Sequence, residues 1–228
     1  MTEQKKPLGL AVIGCGTIGR IRAEFAHDYP GIGWIGLCDI KEDLLDRLAE
    51  DVDADFKSSN FEELIARPEV DAVISATEEN HHGAPTIAAA DAGHALFIEK
   101  PLATDARESR RVLDAIETNN VDAVIGYTQR FRRRFLTVKE RLMTGQIGEV
   151  TGVVTRALMN RMVPIATVQR TNQRQNLTPM VVSGTHALDM CMWLMEGKTP
   201  VSVYAQSNDK ALSQYGTKDS TFGILTMD

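Results

Sequence analysis

Near its start the chain runs from an apolar stretch, Leu8–Gly14, straight into Gly14-Cys15-Gly16-Thr17-Ile18-Gly19, and no other segment restricts the fold so tightly. An apolar strand that stops on this glycine spacing and is followed by a helical pattern reads as strand, tight turn and helix. Each glycine has its own task there. Gly14 permits the turn, Gly16 lets backbone approach a pyrophosphate, and Gly19 lets the helix pack closely on the strand. The helix that opens at Thr17 and Ile18 contributes its first amides and the positive end of its dipole. Asp39 stands 20 residues beyond Gly19, at the end of the next strand signal. In such a unit that carboxylate bonds the hydroxyls of an adenosine ribose. It also repels a 2′-phosphate, so NAD is the expected cofactor, with Lys41 close enough to leave some room for NADP.

The first half of the chain extends the same pattern. Strand signals at Leu8–Gly14, Gly33–Asp39, Ala54–Lys57, Val70–Ala76, Ala95–Lys100 and Val121–Tyr127 alternate with amphipathic stretches. Ser59 with Glu62 and Asp105 with Glu108 have the spacing of a capping box, and Leu44, Leu45 and Leu48 recur at helical period. Strands such as Asp71–Ala76 are nearly all apolar, which suits a parallel sheet covered on both faces. The fold class is therefore α/β: a doubly wound parallel sheet over residues 1–127, then a different domain over 128–228. In that second part a helix is expected at Phe131–Thr144, an alternating run at Glu149–Met159 and a long polar loop over 161–178. A helix at Met180–Glu196 and strands at Pro200–Ser207 and Thr221–Met227 follow. The alternation suggests an open, mostly antiparallel second sheet.

Charge is divided unevenly. Residues 1–128 hold 24 acidic against 12 basic side chains, and residues 129–228 hold 7 against 13. An acidic front half argues against a nucleic-acid partner, while the basic back half hints at an anionic small ligand. Arg130, Arg132, Arg133 and Arg134 cluster at the junction, with Arg156, Arg161, Arg170 and Arg174 beyond. A guanidinium fork among them could orient a carboxylate. No apolar run approaches the ~18 residues of a membrane span. Three widely spaced cysteines suggest neither a disulfide framework nor a zinc site, and His81, His82 and His94 lack metal spacing. A cytoplasmic chain without a metal is expected.

Beyond the fingerprint come Val73–Thr77, Asn80, His82, Ala89–Gly93 and Glu99-Lys100-Pro101. Gly126-Tyr127, Arg130-Phe131, Gly145-x-x-Gly148-Glu149-Val150 and Gly184-x-His186-x-x-Asp189-x-x-x-Trp193-Leu194 complete the series. In this order the chain resembles the Gfo/Idh/MocA family of NAD(P)-dependent oxidoreductases, whose members usually continue further. The chain is thus expected to be a truncated member. The resemblance implies a dehydrogenase acting on a secondary alcohol of a cyclic polyol, a sugar derivative or a carboxylated cis-dihydrodiol, and a homo-oligomer.

Lys100 is then the first catalytic candidate, its ammonium bonding the reacting oxygen or taking its proton. His186 is the family's active-site histidine, with an unperturbed pKa of about 6.5 suited to proton exchange. Asp189, one helical turn on, could orient it. Thr77, Asn80, His82, Glu99 and Arg130 are implied as cofactor contacts beside the fingerprint, with His82 as a helix cap for its other role. Many members carry an aspartate four residues before the histidine, and here that position is Val182. Two other readings stand beside the dehydrogenase: a non-catalytic NAD-binding regulator and an NAD-dependent glycoside hydrolase.

Overall fold

The computed structural model describes residues 6–170 and 176–228. The chain divides into two compact units, Met1–Gly126 and Tyr127–Asp228.

In the first unit, six parallel strands stand in the order β3-β2-β1-β4-β5-β6. They are β1 (Leu8–Ile13), β2 (Ile32–Cys38), β3 (Phe56–Ser58), β4 (Ala72–Ser75), β5 (Ala95–Ile98) and β6 (Ala123–Ile125). Helices α1 (Thr17–His27), α2 (Glu42–Asp51), α3 (Phe61–Ile65), α4 (Gly83–Asp91) and α5 (Ala106–Asn119) connect them. The chain winds outward through β2 and β3, then returns to pair β4 against the other side of β1. The reversal leaves a crevice beyond the carboxyl ends of β1 and β4, where open α/β sheets bind ligands.

Alternate residues of the near-continuous apolar strands feed two cores. Ala11, Ile13, Val73, Leu96 and Ile98 pack with Leu64, Ala89 and Val112 on one face. Leu10, Val12, Ile35 and Leu37 pack with Ala23, Leu45 and Leu48 on the other. Burial on both faces is why these strands lack a polar alternate.

Helix starts follow side-chain chemistry at two of the expected places. Asp105 caps α5 by accepting from the Glu108 amide at 2.9 Å. At α3 the cap is Asn60, which accepts from the Glu62 amide at 2.9 Å, and not Ser59. The geometry explains the shift: an amide oxygen one residue nearer the helix reaches the second free N–H equally well. His82 stands at the start of α4 without a side-chain cap.

In the second unit, α6 (Arg133–Met143) comes first, then α7 (Met162–Arg170), a π-helical turn Met180–Gly184 leading directly into α8 (Thr185–Leu194), and the antiparallel hairpin β7 (Pro200–Asn208) and β8 (Ser220–Met227). Two expectations are corrected. The alternating run Glu149–Met159 forms no strand: residues 150–160 lie without regular structure, tied by Thr155 Oγ1 to Cys191 Sγ at 3.2 Å. Alternation alone does not make a strand, which also needs a neighbour's amides and carbonyls. The supposed loop over 161–178 begins with α7. Asn160 starts that helix by accepting from the Met162 amide at 3.0 Å, and Pro164 in the first turn costs no needed N–H. Ile165 and Val168 then supply a buried stripe. Arg174, within that segment, lies outside the described residues.

The β7–β8 connection is held by Asp219, whose carboxylate accepts from the amides of Ala211 at 2.8 Å and Leu212 at 2.7 Å. The Ala211 amide, with those of Leu212 and Lys210 and the charge of Arg161, holds the Asp219 carboxyl below its ordinary value of 3.8. A depressed folded-state pKa contributes stability above the unfolded value and loses it as pH falls through the folded one. The amide-proton shifts of Ala211 and Leu212, followed by NMR on acidification, should titrate together with a midpoint below 3.8. A midpoint at or above that value would contradict this account of the turn.

Candidate active site

The fingerprint turn joins β1 to α1 at the crevice. Gly14 has φ of +101°, a left-handed conformation that disfavours side chains, and a Cβ there would stand 2.5 Å from the Ala76 carbonyl oxygen. A Cβ on Gly19 would fall 1.7 Å from the Gly14 carbonyl oxygen, so α1 meets the end of β1 only because neither residue has a side chain. Gly16 differs. It is the N-cap of α1, with φ of −68° and no side-chain cap, and a Cβ there would meet nothing within 4 Å. Packing therefore does not demand glycine at this position, and the space beside it is open. The helix start at Thr17 and Ile18 is exposed. Uncapped amides beside open space at a helix N-terminus suit a pyrophosphate, so the residues fit a dinucleotide.

Asp39 lies at the end of β2 and faces this turn. One carboxylate oxygen accepts from the Cys15 amide at 2.6 Å and the other from the Lys41 amide at 2.9 Å. Each oxygen keeps a second lone pair, so the carboxylate can still accept from ribose hydroxyls. Asp39 thus also fastens the turn it serves, a task the spacing argument did not reveal. Burial, with the nearby Asp39 charge, pushes the Cys15 thiol up to about 12 and the Cys38 thiol up to about 11. Both are therefore neutral, inert packing groups.

The segment after β4 and the Glu99-Lys100-Pro101 segment after β5 are joined by His82. Its ring nitrogens lie 2.7 Å from the Pro101 carbonyl oxygen and 3.1 Å from that of Thr77. The side chain is 1% exposed, and the single N–H of a neutral imidazole serves the nearer Pro101 carbonyl, so His82 is a buried tie to the second loop instead of a group presented to a ligand. Thr77 and Asn80 are half-buried on the same segment. Glu99 is also buried, and its carboxylate receives the Arg22 guanidinium, with Nε at 3.0 Å. Arg22 stacks 4.7 Å above the Phe97 ring. Gly126 fits against that carboxylate, since a Cβ there would sit 2.9 Å from Oε2. Sequence reasoning passed over Arg22. Only the pairing across α1 and β5 brings it to Glu99. Lys100 follows, half-buried, and its peptide bond to Pro101 is cis.

In the second unit His186 occupies the first turn of α8, just past the π-helical turn. The Tyr127 ring meets its imidazole edge-on, with centroids 6.1 Å apart at 81°. The Tyr127 hydroxyl lies 3.1 Å from Thr185 Oγ1, which fixes the phenol. Asp189 is 7% exposed and pairs with Arg130, not with the imidazole. Arg130 Nε lies 2.9 Å from Oδ2 and Nη2 lies 2.6 Å from Oδ1, a two-pronged bond that raises the arginine pKa. Its guanidinium also stands 5.7 Å over the Trp193 ring. Two groups expected to serve a cofactor and a catalytic imidazole are therefore joined to each other. Val182 is buried with Val168 and Leu177. Arg132, Arg133, Arg134, Arg156 and Arg161 are exposed. Among the described residues, no cluster of His, Cys, Asp or Glu could hold a metal and no helix is long and apolar enough to cross a membrane.

Comparison with known proteins places this geometry. Residues 8–127 match the family described as an oxidoreductase family with an NAD-binding Rossmann fold, and residues 135–228 match the GFO/IDH/MocA C-terminal domain. A myo-inositol 2-dehydrogenase of Thermotoga maritima is 33% identical over 61% of the chain and 42% of its own length. An inositol 2-dehydrogenase of Gluconacetobacter diazotrophicus is 30% identical over 90% of the chain and 60% of its own length. The chain thus spans about half the length of these relatives. The scyllo-inositol dehydrogenase of Lactobacillus casei, solved with NAD(H) and scyllo-inositol, superposes with a TM-score of 0.85 at 19% identity, over 98% of the chain and 67% of the other.

Gly19 and Gly16 should respond differently to one added methyl group. Gly19→Ala should lower stability by at least ~1–3 kcal/mol, the usual cost of overpacking, because backbone must move. Gly16→Ala should leave the melting temperature nearly unchanged. Thermal melts of both variants check this, and a large loss from Gly16→Ala would contradict the open cradle.

Proposed function

The chain belongs to the Gfo/Idh/MocA oxidoreductase family, and from that membership we propose that it is the core of an NAD-dependent dehydrogenase acting on a secondary alcohol of a cyclic polyol. The observation that carries this reading is the fingerprint turn, where Gly16 leaves a cradle that packing does not require and Asp39 stands beside it. Gly14, Gly16, Gly19 and the first amides of α1 would hold the pyrophosphate, and Asp39 the adenosine ribose. Bound there, the nicotinamide supplies the hydride acceptor or donor.

This chain's residues supply the rest. Lys100, on the segment fastened by Arg22 through Glu99 and by His82 through Pro101, bonds the reacting oxygen and favours its alkoxide form. His186, its ring plane set by Tyr127, exchanges the hydroxyl proton. Arg130 and Asp189 act through each other to hold the start of α8 against the segment Thr128–Phe131. The named activities of relatives on inositols support a neutral ring polyol as the substrate class. The exposed arginines remain available for an anionic sugar acid or dihydrodiol carboxylate. The two-stranded sheet, with Val203, Tyr204, Phe222 and Ile224 exposed, supports assembly with further protein surface.

A second reading, a regulator that binds NAD without turnover, is favoured by one observation: Val182 packs among apolar side chains where many members have a carboxylate. Lys100→Ala separates the two. NADH formation from NAD⁺ and a panel of cyclic polyols should fall by about 10²–10⁴-fold, as for loss of a positioned acid–base group, while NAD⁺ affinity stays within a small factor. An unmodified protein that binds NAD⁺ yet forms no NADH across the panel would favour the regulator.

A further inference from the structure

Asp39 alone does not decide between NAD and its 2′-phosphate, because Lys41 follows it by two residues. A basic group beside the ribose is the means by which such sites accept the extra phosphate. The structure shows where that lysine goes. In the sheet, β1 lies between β2 and β4, so the segments after β2 and β4 flank the fingerprint turn from opposite sides. Lys41 comes from one side and Glu78 from the other. The Lys41 ammonium stands 3.6 Å from the Glu78 carboxylate, with side chains 55% and 29% exposed.

Both partners hang from backbone that is anchored to the turn itself. The Lys41 amide donates to Asp39, whose other oxygen accepts from Cys15. On the far side, the Ala76 amide donates to the Ile13 carbonyl at 2.8 Å and the Ala76–Thr77 peptide abuts Gly14.

We propose that Glu78 is a specificity-determining residue that turns the site toward NAD and away from NADP by occupying Lys41. The inference rests on the cofactor reading above and sharpens it. A 2′-phosphate would bring close to two negative charges beside Asp39. Lys41 by itself would offset the Asp39 charge. Glu78 cancels that offset and restores a net negative rim around the ribose. The two side chains are solvated, so the effect is modest and screened by salt.

Equilibrium titrations of NAD⁺ and NADP⁺ at low ionic strength test it, using the unmodified chain, Glu78→Gln, Lys41→Ala and the double variant. Glu78→Gln should tighten NADP⁺ binding by about two- to fivefold, the range of exposed ion pairs, and move NAD⁺ far less. The gain should shrink in the Lys41→Ala background and fade as salt is added. An unchanged NADP⁺ to NAD⁺ ratio in Glu78→Gln, or the same gain without Lys41, would overturn the assignment while leaving the cofactor reading intact. Failure of the unmodified chain to bind either nucleotide would overturn that reading and this inference with it.

Discussion

The carbonyl of Gly14 and the missing side chain of Gly19 set how closely α1 can approach β1, and the rest of the first unit depends on that approach. With 1.7 Å between the carbonyl oxygen and any Cβ at position 19, even alanine forces backbone apart. Close approach carries the start of α1 to the mouth of the crevice, with its first amides aimed at the space beside Gly16. The turn is then tied to the end of β2 through Asp39 and to the end of β4 through the Ala76 amide. Steric permission and hydrogen bonding thus act on the same few residues. The dipole end of the helix is placed before any ligand arrives, so little ordering cost remains for binding.

Around that turn the loops proposed to carry the chemistry are fastened by polar side chains. His82 ties its own segment to the Pro101 carbonyl, and Arg22 reaches from α1 to the carboxylate preceding Lys100. The second unit repeats the device, with Arg130 and Asp189 joined next to the helix that bears His186. Breaking such a pair strands a buried carboxylate, which is why polar groups at these depths come as couples.

Local signals carried much of the fold into view. The glycine spacing, the apolar strands and the Asp105 cap act over a few residues, and each appears where its pattern predicted. Legibility failed where the deciding partner is distant in sequence. Alternation over Glu149–Met159 resembles a strand until one asks what would pair with it, and α7 was hidden because polar neighbours masked Asn160 and Pro164. In the site, Asp39 was legible and its grip on Cys15 was not. The roles expected of His82, Glu99 and Arg130 came from the family resemblance and that of Asp189 from helical spacing, and neither reaches partners that lie 5 to 77 residues away.

The central claim is that a dinucleotide rests on the amides of the turn between β1 and α1. Backbone NMR of the protein titrated with NAD⁺ measures this directly. The account predicts that the largest amide shifts fall on Gly16–Gly19 and around Asp39, saturating with a single affinity. Saturable binding that leaves those amides unmoved and shifts residues elsewhere would contradict it.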